Sequence, residues 1–141
     1  MLHKQQRLRF QCTGCGKCCT GGSDHYIAIS KTEADRIRQH LGITEKWFRR
    51  RYVEHLTRNT LTARMPEGRC TFLDKNGHCK IYHLRPVQCR TYPYWPEILK
   101  NKQTWKKEAI YCEGINTGAI VSVKEIKQKL AQQLRSEQDE L

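Results

Sequence analysis

The chain has no run of about 18 apolar residues, so nothing in it reads as a membrane-spanning helix. Residues 1–7 carry no apolar stretch and no small-residue cleavage site, so no secretory leader is expected and the cytoplasm is the expected compartment. Acidic residues are scarce: 14 Asp and Glu stand against 26 Lys and Arg, a formal charge of +12. Apolar residues are sparse too, at 38% with a mean hydropathy of −0.79, which argues against a large aliphatic core. No internal repeat, low-complexity tract or glycine-rich phosphate loop is present. The histidines fall in no Ser/His/Asp frame. These absences set aside membrane spans, solenoids, phosphate-loop enzymes and triad hydrolases. Three Trp, six Tyr and three Phe argue against disorder, and 141 residues suit one domain.

What is abundant is cysteine, eight in all. In a reducing compartment such a set reads as metal ligands or redox thiols; a disulfide frame requires an oxidising one. Cys12, Cys15, Cys18 and Cys19 form a compact C-x2-C-x2-C-C group. Cys70, Cys79, Cys89 and Cys112 are spread along the second half. Four cysteines within eight residues have no packing rationale, but closely spaced thiolates close on a metal at small entropic cost. Gly14 and Gly16 allow positive φ, so the loop can wrap an ion. Tandem C-x2-C steps also resemble iron–sulfur loops, and the spacing alone leaves zinc and iron–sulfur both open. Lys17 favours thiolate over thiol. The side chains of Cys18 and Cys19 diverge, so the eight thiols form either two four-thiolate centres or one centre with remaining thiols. His25, His78 and His83 are candidate substitute ligands. With a thin apolar core, metal removal is expected to unfold the domain.

Local signals outline a small, loop-rich α+β domain. Residues 25–29 read as a short strand, with turns at Gly14, Gly16, Gly21 and Gly22 around the first cysteine group. Ser30-Lys31-Thr32-Glu33 is a capping box opening a helix over 31–41, which Gly42 closes. Thr44 caps a helix over 45–57 whose core face carries Trp47, Phe48, Tyr52 and Leu56. Residues 69–73 and 78–82 read as a hairpin about an Asp-Lys-Asn-Gly turn. Residues 85–90 read as one helical turn and 105–111 as a strand. A second capping box at Ser122 opens a helix over 123–136 with Val123, Ile126, Leu130 and Leu134 on one stripe. The tail, 137–141, is expected to fray.

Taken in order, the blocks Phe10-Gln11-Cys12-Thr13-Gly14-Cys15-Gly16-Lys17-Cys18-Cys19, Gly68-Arg69-Cys70-Thr71-Phe72-Leu73, Cys79-Lys80-Ile81-Tyr82, Arg85-Pro86-Val87-Gln88-Cys89-Arg90-Thr91-Tyr92-Pro93 and Cys112-Glu113-Gly114 resemble the YkgJ-type cysteine-cluster family. That family is described as zinc- or iron-chelating. The resemblance implies a metal or iron–sulfur centre held by Cys12, Cys15, Cys18, Cys19, Cys70, Cys79, Cys89 and Cys112, and no settled reaction. Flagellin lysine methylases carry a similar cysteine pattern within longer chains. No methyl-donor site is visible here, so that activity is not carried over.

Arg85 and Arg90 flank Cys89 and are expected to offset a negative thiolate centre. Residues 92–96, Tyr-Pro-Tyr-Trp-Pro, are expected to shield that centre or fill the core. Residues 47–52, Trp-Phe-Arg-Arg-Arg-Tyr, mix basic and stacking groups, which admits nucleic acid as a partner without favouring it. The leading expectation is a metal-binding protein holding an iron–sulfur cluster or zinc, with a redox or enzymatic role open. The alternative is a structural zinc module that binds nucleic acid or an acidic protein. Thiolate centres would also absorb part of the +12, since two four-thiolate sites with +2 cores lower it to about +8.

Overall fold

The computed structural model describes residues 1–19 and 26–139, with Cys19 described in its backbone only. His25, Gly21, Gly22 and residues 140–141 therefore lie outside the described residues. The architecture is α+β, two small antiparallel sheets with five α-helices among the described residues.

One sheet ties the start of the chain to its end. Strand β1 (Leu8–Phe10) pairs with β5 (Ile115–Val121) in the register Leu8↔Val121 and Arg9↔Ile120, with an irregularity before Phe10↔Ile115. The other sheet has the order β2-β4-β3, built from β2 (Ala28–Ser30), β3 (Val53–Thr57) and β4 (Thr60–Ala63). Strand β4 is central, and every one of its residues is buried.

Helix α1 (Lys31–Leu41) follows its sequence signals closely. The Glu33 backbone N–H donates to Ser30 Oγ and the Ser30 N–H to Glu33 Oε1, both at 3.1 Å. Gly42 closes the helix at φ 67°, which only glycine adopts without cost. Helix α2 (Glu45–Arg51) starts at Thr44 as expected but ends six residues early. From Val53 the chain becomes β3, because β-branched Val53 and Thr57 pair across to β4 instead of extending the helix. Trp47 is consequently 55% exposed, while Phe48 is buried.

Three other expectations need correction. The hairpin over 69–82 reduces to a single bridge, Leu73↔Cys79, around the Asp74 turn. Residues 105–111 are helical, not extended: α4 spans Lys102–Tyr111, opened by Asn101, whose side chain accepts from the Thr104 N–H at 2.9 Å. A strand would alternate its burial, yet Tyr111 is 62% exposed while Trp105 is buried. Helix α5 runs Val123–Asp139, so part of the expected frayed tail is helical. Along its stripe Ile126 is buried and Leu130 packs beside it, while Val123 and Leu134 are exposed. Gln133 takes a buried place instead, accepting from Thr91 Oγ1 at 2.7 Å.

The core is aliphatic to a degree the composition does not suggest. One cluster gathers Ile27, Ile29, Ile37, Phe48, Val53 and Phe72 with Cys70 among them. The other gathers Leu2, Leu8, Leu99, Trp105 and Ile126. Each fully buried side chain of this size contributes about 1.5–3 kcal/mol, so the few apolar residues are concentrated where they count. The short helix α3 (Val87–Thr91) lies between the clusters; it packs on α5 and carries Cys89.

Candidate metal centre

The first cysteine group sits on a loop leaving β1, pinned on both sides. On one side, the Gln11 N–H donates to the Gly114 carbonyl at 3.1 Å, and Thr13 Oγ1 donates to Glu113 Oε1 at 2.8 Å. A Cβ on Gly114 would collide with the Gln11 backbone oxygen. On the other side, Gly16 (φ +74°) lies on the Asp74 turn, where a Cβ would stand 2.5 Å from the Gly77 carbonyl oxygen. That turn is held by Asp74 Oδ1, which accepts from the N–H groups of Asn76 (2.8 Å) and His78 (3.0 Å). Those bonds hold the Asp74 carboxyl below the usual carboxylate range. Glycine at 16 and 114 thus brings cysteines distant in sequence next to the loop.

The result is one hollow of about 60 Å³ lined by five thiols: Cys12, Cys18, Cys70, Cys79 and Cys89. Ile27, Phe72, Leu73 and Ile81 supply apolar wall. Cys70 is buried, Cys79 and Cys89 are half-buried, and Cys12 and Cys18 are exposed. The hollow therefore has a dry floor and a mouth formed by the loop. Burial pushes the Cys79 thiol above its ordinary value, and the Arg85 guanidinium pulls the other way. Arg85 lines the hollow, lies 4.0 Å from the Tyr82 ring centroid, and donates to the carbonyls of Tyr82 (3.0 Å) and Cys89 (3.4 Å).

The donor chemistry fits a thiophilic metal: five sulfurs, apolar walls and one cation at the rim. Among the described residues no three of the His, Cys, Asp and Glu side chains close on a single point.

Cys15 and Cys112 line neither this hollow nor its rim, but act electrostatically on one another. Cys112 caps the end of α4, where burial raises its thiol. Nearby, the Tyr92 hydroxyl donates to Glu108 Oε1 at 2.5 Å. Burial and Glu108 together push the Tyr92 phenol far above its ordinary value.

Other candidates separate clearly. His78 and His83 do not line the thiol hollow. His25 and the Cys19 side chain lie outside the described residues. Arg90 pairs with Glu33 at 3.7 Å and lies away from the hollow's wall. Tyr94 is buried in the second cluster, as expected of residues 92–96. In the basic helix α2, Arg49 pairs with Glu45 at 3.1 Å, and Arg64 of the neighbouring segment pairs with Glu54 at 3.2 Å. Sequence reasoning misses the role of Glu33 beyond its cap. Its Oε2 accepts from the Val87 N–H at 2.9 Å and ties α1 to the helix that carries Cys89. No local signal announces a bond spanning 54 positions.

Uncharacterized protein MJ0661 of Methanocaldococcus jannaschii is 30% identical over 115 residues, which cover 79% of this chain. The chain spans 60% of the length of that relative. No solved structure matches. No described helix is long and apolar enough to cross a membrane. Residues 11–113, which hold all eight cysteines, match the family described as "CxxCxxCC: Putative zinc- or iron-chelating domain", and the chain belongs to that family.

Proposed function

We propose that the chain is a cytoplasmic, single-domain metal-binding protein that holds an iron–sulfur cluster through cysteine thiolates. Cys12, Cys18, Cys70, Cys79 and Cys89 supply the main centre, with Cys15, Cys19 and Cys112 completing it or serving a second. The observation that carries this reading is the wall of five thiols around one hollow of about 60 Å³. A mononuclear zinc takes four ligands, so five sulfurs on one small hollow favour a polynuclear centre. An iron–sulfur cluster supplies electron transfer, or Lewis acidity where an iron is open. The protein's own part is to orient the thiols, exclude water from the Cys70 side and offset negative charge with Arg85.

Metal and acid-labile sulfide analysis with an absorption spectrum, on anaerobically prepared protein, tests this. Brown protein with iron and sulfide in comparable amounts is the expected result. Colourless protein with stoichiometric zinc and no sulfide would replace the cluster with the zinc reading.

One observation favours a second role. Trp47 is exposed, with the Arg50 guanidinium 5.9 Å from its ring centroid, a geometry that stacks on bases. That role predicts salt-sensitive retention on a polyanion column. Passage through the column at low salt would remove it.

A further inference from the structure

Beside the thiol hollow lies a larger one, of about 250 Å³, which shares Cys12, Cys18, Tyr82, Cys89 and Arg85 with it. Its walls as a whole differ in chemistry from those of the thiol hollow. The rings of Phe10, Tyr82, Tyr92 and Tyr94 supply flat apolar surface, with Phe10 and Tyr94 packed edge to face at 6.0 Å. Arg85, Arg90 and Lys129 supply positive charge, against a single carboxylate, Glu125.

The cations are positioned by backbone rather than by acids. Arg90 Nε donates to the Arg85 carbonyl at 2.9 Å, and Lys129 Nζ to the Arg90 carbonyl at 3.0 Å. Among the described residues neither Arg85 nor Lys129 makes an ion pair. A chain of carbonyl contacts thus gathers three cations in one hollow, and among the described residues only Arg90 of the three forms an ion pair, with Glu33 at 3.7 Å. Such cations, in one hollow with aromatic rings, are an arrangement that orients a small organic anion.

We propose that this hollow binds a small organic carboxylate with a flat apolar body, beside the thiol centre. The carboxylate faces Arg85, Arg90 and Lys129, the body lies against Tyr92, Tyr94 and Phe10, and one edge is presented to Cys12, Cys18 and Cys89. A single negative charge suits the site better than a phosphate dianion, because the Glu125 carboxylate repels the second charge. The thiol hollow itself is too small for such a molecule. Only the neighbouring metal rests on the iron–sulfur reading; recognition of the carboxylate does not.

Calorimetric titration of the full chain with benzoate, with metal content measured on the same sample, tests the proposal. Saturable binding is expected, about tenfold weaker in Lys129→Met and several-fold tighter in Glu125→Gln. The gain in Glu125→Gln cannot arise from misfolding. No saturation by about 10 mM benzoate, equal affinity in both variants and wild type, or inorganic phosphate binding as tightly as benzoate would each overturn it. Metal-free protein that binds benzoate would leave this proposal standing and remove the metal reading. Metal-loaded protein that ignores benzoate would do the reverse.

Discussion

At the residue scale, two neighbouring glycines separate backbone strain from steric collision. Gly14 and Gly16 both adopt positive φ, +73° and +74°. Alanine at either position meets the left-handed penalty of about 1–2 kcal/mol. At Gly14 nothing among the described residues stands within 4 Å of an added Cβ, whereas at Gly16 the methyl meets the Gly77 carbonyl and Leu73. Gly16→Ala is therefore expected to lower the melting temperature and the metal content more than Gly14→Ala does. Equal effects would mean that contact with the Asp74 turn does not hold the cysteine loop in place. The cysteines themselves are legible as a set, because four thiols crowded into a short loop pack poorly and ligate well. Their partition is not. Which thiols share a wall depends on where Gly16 and Gly114 let the loop dock, and those contacts join Gly16 to Gly77 and Gly114 to Gln11, far apart in sequence.

At the element scale, legibility follows the caps. Helix α1 is readable end to end, since its capping box and its C′ glycine are local features. Helix α4 reads as a strand because its box pairs Asn101 with Thr104, while Trp105, Ile110 and Tyr111 favour strands by propensity. Strand β3 reads as part of α2 because Tyr52 and Leu56 continue the helical spacing of Phe48, whereas its pairing with β4 is a tertiary contact with no local signal. The cap of α1 also reaches the site. Ser30→Ala removes one cap bond and is expected to cost about 1 kcal/mol. Glu33→Ala also removes the acceptor for Val87 and the partner of Arg90, releasing α3 and with it Cys89. Denaturant midpoints should fall in both variants, and metal retention only in Glu33→Ala. Equal metal retention would place the coupling between α1 and the thiol hollow elsewhere.

At the scale of the whole molecule, the two apolar clusters change what metal loss should do. Composition points to a chain with too little core to fold without metal. The structure instead concentrates its aliphatic residues; among the described residues Cys70 is fully buried in the first cluster, while Cys112 is half-buried against the second. Chelation under reducing conditions is therefore expected to expose backbone amides in 11–19 and 70–92 to hydrogen exchange. The β1–β5 pair and α5, which pack with Leu2, Leu8 and Ile126, should keep their protection. Simultaneous loss of all protection would show that the metal holds the entire fold, as in small zinc modules. The basic excess belongs to this scale as well. Arg49, Arg64 and Arg90 are paired with carboxylates, and Arg85 lines the thiol hollow. Those three neutral pairs leave the +12 unchanged, so the excess is engaged within the molecule only where a cation such as Arg85 faces the thiols.

Whether the thiols of one hollow hold metal together is decided by metal per chain in anaerobically purified wild type beside Cys70→Ser. A stoichiometric metal complement is expected in the wild type, with a clear loss in Cys70→Ser, whose thiol forms the buried floor. Metal-free wild-type protein, or a Cys70→Ser variant with an unchanged complement, would show that this hollow is not the metal centre.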